Sequence, residues 1–155
     1  MKKLAILFTV ILFTNFSFAQ DYSIEEVEVV QNLFGAEKKV IIEAFVGLEG
    51  VDAAAFWSLY EEYEVVRKEL GKERIALLHE YETIKTITNE EVEALMKRAM
   101  PLRKSQDALI QKYYKKIKKA TTAIVGAQFY QIEHFISDGI RFTILNNMGL
   151  VQDKK

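Results

Sequence analysis

The residues that have to be weighed first for chemistry are two histidines, a handful of serines and one lysine run. His79 and His134 are the only histidines of the chain. Carboxylate-bridged di-metal bundles present Glu-x-x-His motifs from facing helices, but position 76 is Ala and position 131 is Gln. His79 and Glu82 stand one helical turn apart, and two ligands are too few for a dedicated metal site. The absence of cysteine excludes thiol chemistry and cysteine-held metals. Ser58, Ser105 and Ser137 fall inside helical patterns, with no nucleophile-elbow motif around them. No glycine-rich phosphate loop occurs. The sequence therefore predicts neither an enzyme nor a cofactor, and a metal-binding protein is the remotest of the alternatives.

Charge and aromatic side chains point to binding instead. Lys112 to Lys119 read Lys-Tyr-Tyr-Lys-Lys-Ile-Lys-Lys. On a helix Tyr113 and Ile117 share one face, while Lys112, Lys115, Lys116 and Lys119 point outward. Cations at a helix C-terminus complement its dipole, which accounts for the run without a partner; the functional alternative is a local basic patch for acidic proteins or anionic lipid. Aromatic residues make up 12% of the chain, enough to supply both a core and a contact surface. Phe56 and Trp57 are adjacent, as are Phe129 and Tyr130, so one member of each pair must cover a second surface. That surface is another helix, a dimer partner or a groove for client proteins.

The elements that position these groups are helices. The 155 residues are half hydrophobic, 28% charged and near neutral at −1, which describes one domain and no nucleic-acid partner. One proline and seven glycines are too few turn residues for a many-stranded sheet. Lys2 and Lys3, the apolar run Leu4 to Phe13 and the small residues Ser17 and Ala19 read as a signal peptide over 1–19 cleaved near Ala19. The expected mature chain, 20–155, loses two of 21 basic residues and carries 19 against 22 acidic ones, a net −3. It is expected in the periplasm or outside the cell, without a stable membrane anchor.

Ser23-Ile24-Glu25-Glu26 reads as a capping box opening a helix over about 24–46. Asp52 caps a second, over about 53–86, with Phe56, Leu59, Tyr60, Tyr63, Val66, Leu70, Leu77, Tyr81 and Ile84 on one stripe that a core-facing Arg74 interrupts. Thr88-Asn89-Glu90-Glu91 is a second capping box, opening a helix over about 89–119 with Leu95, Leu102, Leu109, Tyr113 and Ile117. That stripe keeps its phase across Pro101, which predicts one bent helix. The last helix, about 122–147, carries Phe129, Ile132, Phe135, Ile136, Ile140 and Ile144. Leu150 and Val151 are expected to pack back and the final residues to fray. The connection near residue 87 is so short that the two long helices must fold back on each other. The fold class is all-α: an elongated four-helix bundle built on a long antiparallel helical hairpin, with arms of roughly 45–50 Å.

Ala54-Ala55-Phe56-Trp57-Ser58-Leu59 and Ala127-Gln128-Phe129-Tyr130-Gln131-Ile132 share the pattern Ala-x-Phe-aromatic-x-aliphatic. With Gly47 to Asp52 and Thr121 to Val125 in the places of paired, degenerate Leu-Thr-x-x-Gln motifs, the arrangement resembles the Spy/CpxP-type periplasmic proteins. Ala55 to Tyr60, Arg74 to Leu78 and Gln128 to Glu133 also look like the hallmarks of uncharacterised exported bacterial proteins. The resemblance implies a small helical protein acting as an ATP-independent chaperone or an envelope-stress accessory, on unfolded clients or an envelope partner. The expected client-binding residues are Trp57, Tyr60 and Tyr130, with a basic rim at Arg67, Lys115 and Lys116. The alternative is a dimeric structural or interaction module that binds no client.

Overall fold

A computed structural model describes residues 35, 37–84 and 87–148. Among them the chain forms four helices and no strand: α1 over 37–45, α2 over Ala53–Thr83, α3 over Asn89–Ala120 and α4 over Ala123–Met148. The all-α bundle is as the periodicity requires. Of the expected 24–46 helix only the C-terminal part lies within the described residues. The signal-peptide reading of 1–19, the packing of Leu150 and Val151 and the frayed tail fall outside them.

The caps explain where the helices start. Asp52 accepts from the Ala55 amide at 2.9 Å, satisfying a first-turn donor that would otherwise lack a partner. At α3 the capping box closes in both directions. Thr88 Oγ1 accepts from the Glu91 amide at 3.2 Å, and Glu91 Oε2 accepts from the Thr88 amide at 2.8 Å. Glu90 and Glu91 in the first turn, and Lys118 and Lys119 in the last, complement the α3 dipole. Thr122 opens α4 by accepting from the Val125 amide at 3.2 Å. The second helix stops at Thr83, earlier than the expected 86, because Ile84 is already extended. Pro101 sits inside α3 and does not end it.

Cross-helix partners fix the hairpin. As the α2 position descends from Glu80 through Arg74 to Glu62, its α3 partner climbs from Arg98 through Gln106 to Lys116. The strands of this ladder run antiparallel, as a short connection demands. Near that connection only Leu77 and Leu95 are buried on the two helices, because a pair of helices buries one narrow stripe each.

The main core lies at the other end, where α1 and α4 join the hairpin. It gathers Ile42 and Val46, then Phe56, Tyr60 and Tyr63, then Leu109, Ile110, Tyr113 and Ile117, and finally Val125, Phe129, Ile132 and Ile136. Tyr63 is its centre, edge-on to Phe129 at 5.2 Å and to Tyr113 at 5.5 Å between ring centroids. α4 approaches α3 closely at Gly126, where a Cβ would stand 3.0 Å from Lys118 Cβ and 3.2 Å from its Cα. The chain enters α2 through Gly50, whose φ of 72° lies in the left-handed region glycine tolerates without strain.

Candidate functional site

Two features are built by this fold: a charged network inside the core and apolar side chains on its outside. The network starts with Lys38 on α1 and Glu133 on α4, each only 1% exposed. Both occupy phases the helix periodicity assigns to the interior, Glu133 lying four residues after Phe129 and three before Ile136. Lys38 Nζ is 2.8 Å from Glu133 Oε1 and donates to Glu64 Oε1 at 2.7 Å. The Tyr63 hydroxyl donates to Glu133 Oε2 at 2.6 Å, and Arg67 Nε donates to Glu64 Oε1 at 2.8 Å. Three helices are thereby tied through two carboxylates. The Lys38 ammonium also lies 5.0 Å from the Tyr63 ring centroid, over its electron-rich face.

Burial in this network shifts proton affinities in ways that can be ordered. Burial alone raises the Glu64 carboxyl, but the charges of Lys38 and Arg67 outweigh it and hold the group below the ordinary value. Tyr60 and Tyr63 are pushed well above the ordinary phenol value, first by burial and then by the negative charge of Glu133.

The residues singled out by sequence divide between the core and the surface. Tyr60 is 3% exposed and belongs to the core, stacked on Phe56 with ring centroids 6.0 Å apart. Its neighbour Trp57 is half-buried, edge-on to Tyr60 at 5.5 Å, with Lys39 Nζ 4.8 Å from the indole. Arg67 is turned inward to Glu64, not to a rim. Tyr130 is half-buried on a separate side, against Tyr114 at 5.8 Å and His134 at 4.4 Å. Lys115 is exposed, and Lys116 is spent on Glu62 at 2.7 Å. The structure thus joins Trp57 to Tyr60 and brings Arg67 into the core network. The adjacent aromatic pairs behave as required, with Phe56 and Phe129 fully buried while Trp57 and Tyr130 cover outer surface.

The outer feature was hidden in the α4 stripe. Phe135 was expected inside, yet it is 43% exposed, and with Phe142 at 72% and Leu145 at 57% it forms a row on the outside of α4. At 3.6 residues per turn these three fall within about 80° of one another, with Phe135 at the edge of the core face, about 60° from Ile132, and Leu145 farthest from it. Met96 and Met100, one turn apart, are exposed on α3. Among the described residues no group of three or more His, Asp or Glu converges as a metal site requires. His134 Nε2 is buried without a hydrogen-bond partner there. Nor is any helix among them long and apolar enough to cross a membrane. No protein-family model, curated protein or solved structure matches this chain.

Proposed function

We propose that the protein is an exported, non-catalytic binding protein of ATP-independent chaperone or envelope-stress accessory type. It holds partly unfolded polypeptide on apolar side chains outside a rigid bundle. The observation that carries this reading is the exposed Phe135, Phe142 and Leu145 row on α4. Large apolar side chains presented together on a helix face are a surface that extended polypeptide covers with gain of free energy. Met96 and Met100 on α3 add flexible, adaptable contacts of the kind found on promiscuous surfaces. The buried network supports the reading from within, because tying three helices together keeps the outer row from collapsing into the core. The sequence likeness to Spy/CpxP-type proteins points the same way.

Light scattering from an aggregating, chemically denatured client tests the proposal, with the protein added at near-equimolar ratio and no ATP. Suppression by the wild type that is lost in the double variant Phe135→Ser/Phe142→Ser is the expected result. No suppression across several unrelated clients excludes a general holdase and favours a dedicated interaction module. A mass by sedimentation that shows a dimer dissociated by the same double variant would assign the row to self-association instead.

A further inference from the structure

α3 carries an uneven share of the chain's charge. Between Lys97 and Lys119 stand nine basic residues and one acidic residue, Asp107, in a chain whose net charge is −1. Two of the nine are spent on carboxylates of α2, Arg98 on Glu73 and Glu80 and Lys116 on Glu62. Lys97, Lys104, Lys112, Lys115 and Lys119 are exposed. Among the described residues none of these five has a carboxylate within ion-pair distance. At 3.6 residues per turn they fall within about 80° of one another, centred opposite the buried Ile117. Lys112 is nearest the core face, about 60° from Leu109, and stands over the Tyr113 ring. From Lys97 to Lys119 the lysine row runs for about 33 Å along the helix.

Neither capping nor helix stability accounts for this row. The helix dipole favours cations in the last turn, which covers Lys118 and Lys119 but not Lys97, Lys104, Lys112 or Lys115. Lys112, Lys115 and Lys119 follow one another at spacings of three and four, where like charges repel and weaken a helix. A carboxylate at the middle position would have relieved that repulsion. The other residues within the same arc between Lys97 and Lys119 are Pro101 and Ala108, both exposed, short and uncharged. Long cationic side chains therefore stand above a low, even surface.

We infer that the outer face of α3 lies flat on an anionic lipid surface, held by charge and not by insertion. Protein interfaces are depleted in lysine and gather Tyr, Trp and Arg at their centres, and the arc contains none of those three. A lysine ammonium is a compact charge that demands no fixed partner geometry, so it suits a fluid field of headgroups. Clusters of about four to eight basic side chains are of the size that such surfaces attract. The apolar side of α3 is committed to the core, which leaves its charged side to make the attachment. This inference does not depend on the polypeptide-binding row of α4, which involves none of these lysines.

Co-sedimentation with lipid vesicles tests it, using phosphatidylcholine alone or three parts of it with one of phosphatidylglycerol. Neutral vesicles set the baseline, because the apolar stretch Leu4 to Phe13 is common to every variant. The wild type is expected to bind anionic vesicles above that baseline at low salt, and to lose the excess by about 0.5 M salt. Lys104→Gln/Lys115→Gln should weaken anionic-vesicle binding by roughly 25-fold, about fivefold for each lysine, or down to the baseline. Lys68→Gln/Lys72→Gln removes the same charge from α2 and should leave the affinity within about threefold. Lys115→Gln also relieves a like-charge contact, so the row variant stays folded. Equal binding of the wild type to neutral and anionic vesicles overturns the inference, as does equal weakening by the two double variants. Binding to soluble poly-glutamate in place of anionic vesicles overturns it as well, and assigns the row to an acidic protein.

Discussion

Lys38→Met isolates what the buried network contributes. The substitution keeps most of the side-chain volume and removes an ammonium that stands 2.7 Å from Glu64 and 2.8 Å from Glu133. Glu64 retains Arg67, but among the described residues Glu133 keeps only the Tyr63 hydroxyl. Leaving a charge buried without its counter-ion costs about 3–5 kcal/mol. With a urea m-value of about 2 kcal/mol/M for a domain of this size, the midpoint falls by about 2 M. Adding Glu133→Gln should recover much of that loss, since a neutral amide oxygen still accepts from Tyr63 while the stranded charge is gone. Chemical unfolding followed by far-ultraviolet circular dichroism measures all the variants needed. A Lys38→Met loss below about 1 kcal/mol would refute the reasoning, because an ammonium that cheap to remove is solvated. So would a double variant no more stable than the single one.

Other consequences are smaller but equally checkable. Gly126→Ala should destabilise by about 1–3 kcal/mol despite better helix propensity, since the new methyl meets Lys118 Cβ at 3.0 Å and its backbone at 3.2 Å. Thr88→Ala removes the α3 cap and should cost about 1 kcal/mol, read as a lowered denaturation midpoint. The Glu64 carboxyl is held below its unfolded value, so its contribution is present above about pH 4.5 and is lost as pH falls through the folded pKa. Stability measured from pH 6 down to pH 3 should fall less steeply in Glu64→Gln than in wild type. Tyr60 and Tyr63 are shifted upward, so stability declines as pH rises past about 10, where the unfolded phenols ionise. In a spectrophotometric titration these two of the seven tyrosines should ionise only as the protein unfolds.

The helices were legible because their signals are local. Asp52 and the Thr88–Glu91 box marked two starts to the residue, and Phe56, Tyr60, Tyr63, Leu95, Leu109, Tyr113 and Ile117 showed the buried stripes through spacing alone. Periodicity misled where two neighbours compete for one phase. Val66 was expected inside but is 40% exposed, while the adjacent Arg67 turns inward to meet Glu64. Phe135 lost its place to Ile136 in the same way. The network escaped notice because Lys38 and Glu133 are charged residues in apolar phases, and neither has its partner on its own helix. The signal that could have found them was the same one that marked Arg74, a charge interrupting an apolar stripe. Tyr60 shows the opposite error. An aromatic next to Trp57 looked available for contact, yet the fold uses it to fill space between α1 and the hairpin.

The central claim is that the outer row of α4 binds unfolded polypeptide, and direct binding tests it most closely. A fluorescently labelled, permanently unfolded polypeptide, reduced and alkylated, would be titrated with the protein and followed by anisotropy. Saturable binding is predicted, with native label carrier not bound. Burying a Phe side chain stabilises by about 1.5–3 kcal/mol, so Phe142→Ser should weaken the complex by roughly tenfold or more. Equal affinity of Phe142→Ser and wild type would contradict the account, as would no binding of the unfolded polypeptide by the wild type.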